Sequence, residues 1–375
     1  MKKILAILFL ASLVGGCARS IDEEKFAYHE NLYVTNGGSH DVTVIDARNF
    51  RVLKTIAVGR NPSGVAINPR KNEVYVVNTE SNNVSVIDAE KNEVVATIGV
   101  HRAPYFISVS HDGKRGYVAN SGSNNVTVLD LEQRKAISSI PVGQAPGMAM
   151  VSPDGKTVVA SLRGDNAVAI IDTATFKVRA TIPVCAAPGD MAILPDSSKV
   201  FVACTGASQV AAVQLKKPEW KQEDDRLLVL LRVGKTPVDL ALKPDGGEIF
   251  VSNFDSGTFS QVTTSSNEVG GSYLIGSNPV RGLVAPDNAT LYISNFGSNT
   301  VSVYDITISR LLETIHVGNR PESLVLSPNQ SFLFVADTAS GDVAVVRTAV
   351  RALFTLIPVG KQPNAMALKA FAVKR

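Results

Sequence analysis

The stretch NEVYVVNTESNNVSVIDAEKNEVVATIGV, residues 72–100, holds three runs of β-branched and aromatic residues. They are Tyr75–Asn78 (YVVN), Val84–Ala89 (VSVIDA) and Thr97–Val100 (TIGV), parted by the turn-forming segments TESNN and EKNE. Alternating runs of this length bounded by Asn, Asp and Ser read as short strands joined by tight turns. The first phrase recurs at Tyr33, Tyr75, Tyr117, Val159, Phe201, Phe250, Tyr292 and Phe334, at spacings of 42 apart from one of 49. The second recurs at Val44, Val86, Val128, Ile170 and Val303. The third recurs at Thr55, Thr97, Ser139, Thr181, Thr314 and Leu356. A fourth run, led by proline, starts at Pro62, Pro146, Pro237 and Pro321. Four strands per period of about 42 residues predict a β-propeller blade, whose faces are buried only when blades stack around an axis.

We name the proline-led run strand a, YVxN strand b, VxVID strand c and TIxVG strand d. The chain opens on strand b at Tyr33 and ends on a lone strand a near Pro363. A final strand a completing the first b, c and d is a 3+1 closure, which removes open edges. The expected fold is therefore all-β, with eight four-stranded blades; seven blades is the alternative. Blade material from Phe250 to Gly276 is the least regular, with SQVTT as c and SYLIG as d.

The phrases resemble those of YVTN-repeat propellers over about residues 31–370. That resemblance specifies the fold strongly and function weakly. Its relatives include surface-layer modules, propeller subunits of redox enzymes and proteins assigned to DNA or metal responses.

Bulk composition narrows the function classes. The chain has 375 residues, 45% apolar and 19% charged, with a net charge of +3. A large core is possible, and nucleic acid is not an expected partner. Lys2 and Lys3 precede an apolar run from Ile4 to Val14, too short to span a bilayer. The run ends in Val14-Gly15-Gly16-Cys17, which resembles a bacterial lipobox. Residues 1–16 are then a lipoprotein signal peptide, Cys17 the lipidated residue and 17–30 a tether. Residues 31–372 form the propeller. The membrane is a partner through the lipid, and Ala18 resembles the residue of outer-membrane lipoproteins in a Gram-negative host.

Most repeated residues read as structural. Asp46, Asp88, Asp130, Asp172 and Asp305 are expected to accept backbone N–H groups in the c–d turn. The Asn of YVxN (Asn36, Asn78, Asn120, Asn253, Asn295) is expected to do the same in the b–c turn. Functional information should lie where the repeat is broken. The d–a crossovers carry Arg60, His101, Arg102, Lys235, Arg320 and Lys361 and no Asp or Glu. That ring reads either as a mouth for an anion or as solvated surface charge. One residue level into strand a stand Asp190, Asp239 and Arg281 on successive blades, beside Arg163 and Lys235. They read as a pocket or as a structural ion-pair network plugging the channel. Cys185 replaces the Gly of VG and Cys204 the Asn of YVxN one blade on. They are a candidate disulfide or two separate small residues. The loop Lys216–Arg226, which carries the seven extra residues of the 49-residue spacing, holds Trp220, which reads as a partner anchor or as packing on its own blade.

Catalytic signatures are weak. There is no CxxCH, HExxH or G-x-S-x-G, and the histidines His29, His40, His101, His111 and His316 are scattered. No metal site and no cofactor are predicted. The favoured reading is a non-catalytic, lipid-anchored monomer of the cell envelope that presents its top face to an envelope protein or an anionic small molecule. Two other readings stay open. One is an enzyme or cofactor handler resembling d1-haem-domain or lactonase-type propellers, using Arg60, Arg102, Asp190, Asp239 and Arg281. This sequence departs from the d1-haem version in lacking an evident axial histidine, unless His101 serves. The other is a passive adhesin.

Overall fold

Each b strand carries apolar or small residues at almost every position, because both of its faces meet a neighbouring blade. In the computed structural model, which describes residues 26–217 and 224–374, strand b of the second blade (Glu73–Asn78) is buried throughout. Tyr75, Val77, Val84 and Val86 of that blade pack against Ile107, Val118, Leu129 and Leu131 of the next. Strand d buries chiefly the Ile of its TIxVG phrase: Ile56, Ile98, Ile140, Ile182, Ile315 and Ile357 are each at most 7% exposed. That single inward residue explains why the outer strand retains a weak pattern.

The described residues form eight four-stranded antiparallel sheets, which settles the count against seven. Blade 1 takes strands b, c and d from Phe26–Asn36, Asp41–Asp46 and Arg51–Ala57, and strand a from Pro363–Lys374. The closing pair runs from Phe26 opposite Lys374 to Asn36 opposite Pro363. Strand b therefore begins at Phe26, and residues 26–30 of the expected tether pair with 370–374. The irregular sixth blade is complete, with strands Pro237–Leu242, Glu248–Asn253, Thr258–Thr263 and Glu268–Leu274. Every c–d pair carries a register shift, which bends each outer edge and guards it against pairing with another chain.

The turn aspartates act as expected. Asp88 accepts from the N–H groups of Glu90 and Lys91, and Asp130 from those of Glu132 and Gln133. The YVxN asparagines do not. Their amide nitrogens donate to side chains five and seven residues on, at the start of strand c. Asn36 donates to Asp41 and Thr43, and Asn78 to Asn83 and Ser85. Asn120, Asn253 and Asn295 repeat the pattern. The buried end of strand b has its backbone in the ladder already, so the side chain serves a polar partner on strand c instead.

Candidate functional site

Strand a descends the central channel from each crossover, so the crossovers and the b–c turns share the top face. The crossovers are held on both sides by the serine of the b–c turn and, in several blades, by the asparagine after it. The Ser81, Ser123, Ser256 and Ser39 hydroxyls accept the N–H groups of Arg60, Arg102, Lys235 and Lys361. Asn82 and Asn299 accept those of Ala103 and Arg320 in the following crossover. The residue before each crossover proline has a positive φ, from 50° at Ala103 to 58° at Arg320. These bonds keep the exposed side chains of the ring on a fixed backbone.

The channel trio meets. Arg281 donates to Asp239 at 2.6 Å, and Asp239 also accepts the Gly282 N–H at 2.7 Å. Asp190 accepts the Leu240 N–H of the next blade at 2.9 Å. Each aspartate thus ties its own strand a to the inner edge of the next. Asp239 is 3% exposed at its side chain and Arg281 46%. Burial and the Asp239 carboxylate push Asp190 up to about 7, against the Arg281 charge. Burial likewise raises Asp239 and, on the eighth blade, Glu322, which accepts from Thr338. Arg281 remains cationic beside these acids. The network is first a set of links between blades, with one arginine half open to the channel. Arg163 lies at the same mouth, its stem over Gly147, and Lys235 is exposed on the rim.

Two open grooves lie outside the channel on the same face. One, of about 870 Å³, runs between the eighth and first blades and brings Arg320 and Lys361 together with Ser39, Thr338 and Ser340. No carboxylate lines it. The other, of about 790 Å³, lies between the sixth and seventh blades and is lined by Phe254, Leu274 and His316 among others. Asp255, also in its wall, is engaged by the Thr236 hydroxyl. Arg60, His101 and Arg102 are exposed on other blades and line neither groove. Phe254, Phe296 and Leu274 were not singled out by sequence reasoning. The signal was present: the residue after YVxN is Phe in these two repeats and Gly, Thr, Ser or Arg elsewhere.

Cys185 and Cys204 form a disulfide with Cα atoms 5.6 Å apart. Lipidation at Cys17 and the role of Trp220 concern positions outside the described residues. Within Lys216–Arg226, Asp225 is gripped by Arg179 through two bonds of 2.8 Å. Among the described residues no group of three or more His, Cys, Asp or Glu stands in metal-binding proximity, and no helix is long and apolar enough to cross a membrane.

These features define an eight-bladed β-propeller with a charged, rigidly held top face. A YNCE-like β-propeller family model matches residues 66–151, and a lactonase, seven-bladed β-propeller model matches residues 281–352. No curated protein matches the sequence. Among solved structures, Kuenenia stuttgartiensis hydrazine synthase is similar at 24% identity over 74% of this chain and 93% of that one, with a TM-score of 0.61. The dihydro-heme d1 dehydrogenase NirN, in complex with DHE, is similar at 14% identity over 90% of this chain and 74% of that one, with a TM-score of 0.76. Citrobacter koseri AztD is similar at 14% identity over 92% and 99%, with a TM-score of 0.71. At these identities the likeness is one of fold. The repeat phrases, the two family-model matches and these neighbours are consistent with a YVTN-type repeat propeller.

Proposed function

We propose that the chain is a non-catalytic binding module of the cell envelope, carried on a lipid at Cys17, that takes an anionic ligand on its top face. The observation that carries this is the groove in which Arg320 and Lys361 converge with three hydroxyl side chains and no carboxylate. Two cations on a fixed backbone attract an anion without first having to be ordered. The first blade's strand b starts at the bottom face, at Phe26, which supports a top face turned away from a membrane reached through Cys17. Titration with triglutamate is the test. The Arg320→Ala/Lys361→Ala variant is expected to bind at least tenfold more weakly than the wild type, and added salt to weaken wild-type binding. Equal affinity of the two proteins would sink the proposal. Incorporation of labelled palmitate, abolished by Cys17→Ser, checks the anchor.

A second reading, an enzyme-like propeller working in the channel mouth, is favoured by one observation. Asp190, raised to about 7 beside Arg281, has the protonation range of a general base. Turnover of a lactone panel that is lost on Asp190→Asn, with the fold unchanged, would support it.

A further inference from the structure

One group of departures from the repeat on the top face falls on adjacent blades, the sixth, seventh and eighth. Leu274 is 82% exposed at the end of strand d in the sixth blade. The corresponding positions elsewhere are Ala57, Gly99, Pro141, Pro183, Arg232, His316 and Pro358, none of them a large aliphatic residue. In the same blade a 3-10 turn, Phe254–Ser256, replaces the ordinary b–c turn. It sets Phe254 beside Phe296 of the next blade, with ring centroids 6.3 Å apart. Arg320 of the blade after that lies over Phe296, 5.3 Å from its ring centre. Phe296 also lines the basic groove, so the two grooves adjoin through the Phe254–Phe296 pair.

The resulting surface runs from an apolar end at Leu274 and Phe254, across Phe296, to a cationic end at Arg320 and Lys361. We infer that it is a docking track for an extended peptide that carries a large apolar side chain within one or two residues of acidic ones. This deepens the proposed anion-binding function and rests on it. Charge complementarity selects the acidic residues of the peptide. The exposed leucine and the half-buried rings supply an apolar seat, the kind of anchor on which peptide recognition concentrates its energy. Both grooves are open along their length, which suits a chain laid across the face rather than a small molecule enclosed by it.

The test probes the purified protein with an array of random octapeptides and, separately, with triglutamate. Enrichment of Phe, Leu or Trp within two residues of Asp or Glu is expected. The enriched peptides should weaken at least tenfold on Leu274→Asp or Phe254→Ser, while triglutamate affinity stays unchanged. Leu274 is almost wholly exposed, so its substitution leaves the core intact. Acidic peptides enriched without any apolar preference, or binding indifferent to Leu274→Asp and Phe254→Ser, would overturn the docking track and leave the anion reading standing. Triglutamate binding indifferent to Arg320→Ala/Lys361→Ala would remove the anion reading itself, and the track with it.

Discussion

Cys204→Ser is expected to lower the unfolding free energy by about 3 kcal/mol, the loop-entropy value for a cross-link of this span. The disulfide joins residues 19 apart, from the end of the fourth blade's strand d to the end of the fifth blade's strand b. The same 19-residue relation recurs around the ring as a glycine packed on a polar side chain. A Cβ on Gly59 would fall 2.6 Å from the Asn78 Cβ, and one on Gly276 would fall 2.4 Å from the Asn295 Cγ. Gly234 stands in the same relation to Asn253. The cysteines thus occupy a pre-existing contact between neighbouring blades, where the two backbones come close enough for short side chains to be bonded, with Cα atoms 5.6 Å apart. Two further measurements follow. Reductant should lower the wild-type melting temperature and leave that of Cys185→Ser/Cys204→Ser unchanged. Cys185→Gly/Cys204→Asn should recover part of the loss, because it restores the pair found in other blades. Equal melting temperatures for wild type and Cys204→Ser would contradict the account.

Asp337→Asn is expected to stabilise the protein, and to do so more as pH rises. Asp337 stands in the eighth repeat where YVxN has asparagine, fully buried and accepting the Gly318 N–H. Burial and the neighbouring Asp342, to which its carboxyl is hydrogen-bonded, push it up to about 8. A carboxyl raised in the folded state keeps a proton that the unfolded chain releases above about pH 4. Its contribution is therefore fully present below pH 4 and is lost as pH climbs to about 8, at a limiting rate of about 1.4 kcal/mol per pH unit. Asparagine needs no proton to donate to Asp342, just as Asn36 donates to Asp41. Urea midpoints measured from pH 5 to 9 should fall for the wild type and stay flatter for the variant. Parallel curves would show that the pair shares no proton.

The fold was open to sequence reading because one period repeats eight times, and each copy restates the demands of strand pairing and blade stacking. Even the sixth blade, whose Glu268–Leu274 strand carries two glycines, was located by phase alone. The closing strand was legible for the same reason. Its added length was not, because Phe26–Glu30 and Ala370–Lys374 extend beyond the repeat. The asparagine of YVxN was misassigned for a physical reason. Its partners, such as Thr43 and Ser85, sit on strand c, and one phrase read in isolation does not show them. The Asp239–Arg281 contact followed from equal positions on successive blades. The grooves did not, since they depend on which crossovers lie side by side at the rim and on a local 3-10 turn.

The 3+1 closure also has a temporal meaning. The first described strand, Phe26–Asn36, finds its inner neighbour only in the last twelve of the described residues, more than 320 positions later. Contacts so distant in the chain form slowly. During synthesis the inner edge of residues 26–36 therefore stays uncovered until residues 363–374 arrive, while the other seven blades can each assemble from contiguous sequence. Loss of the Pro363–Lys374 strand would leave that edge exposed for the lifetime of the molecule and open to pairing with other chains.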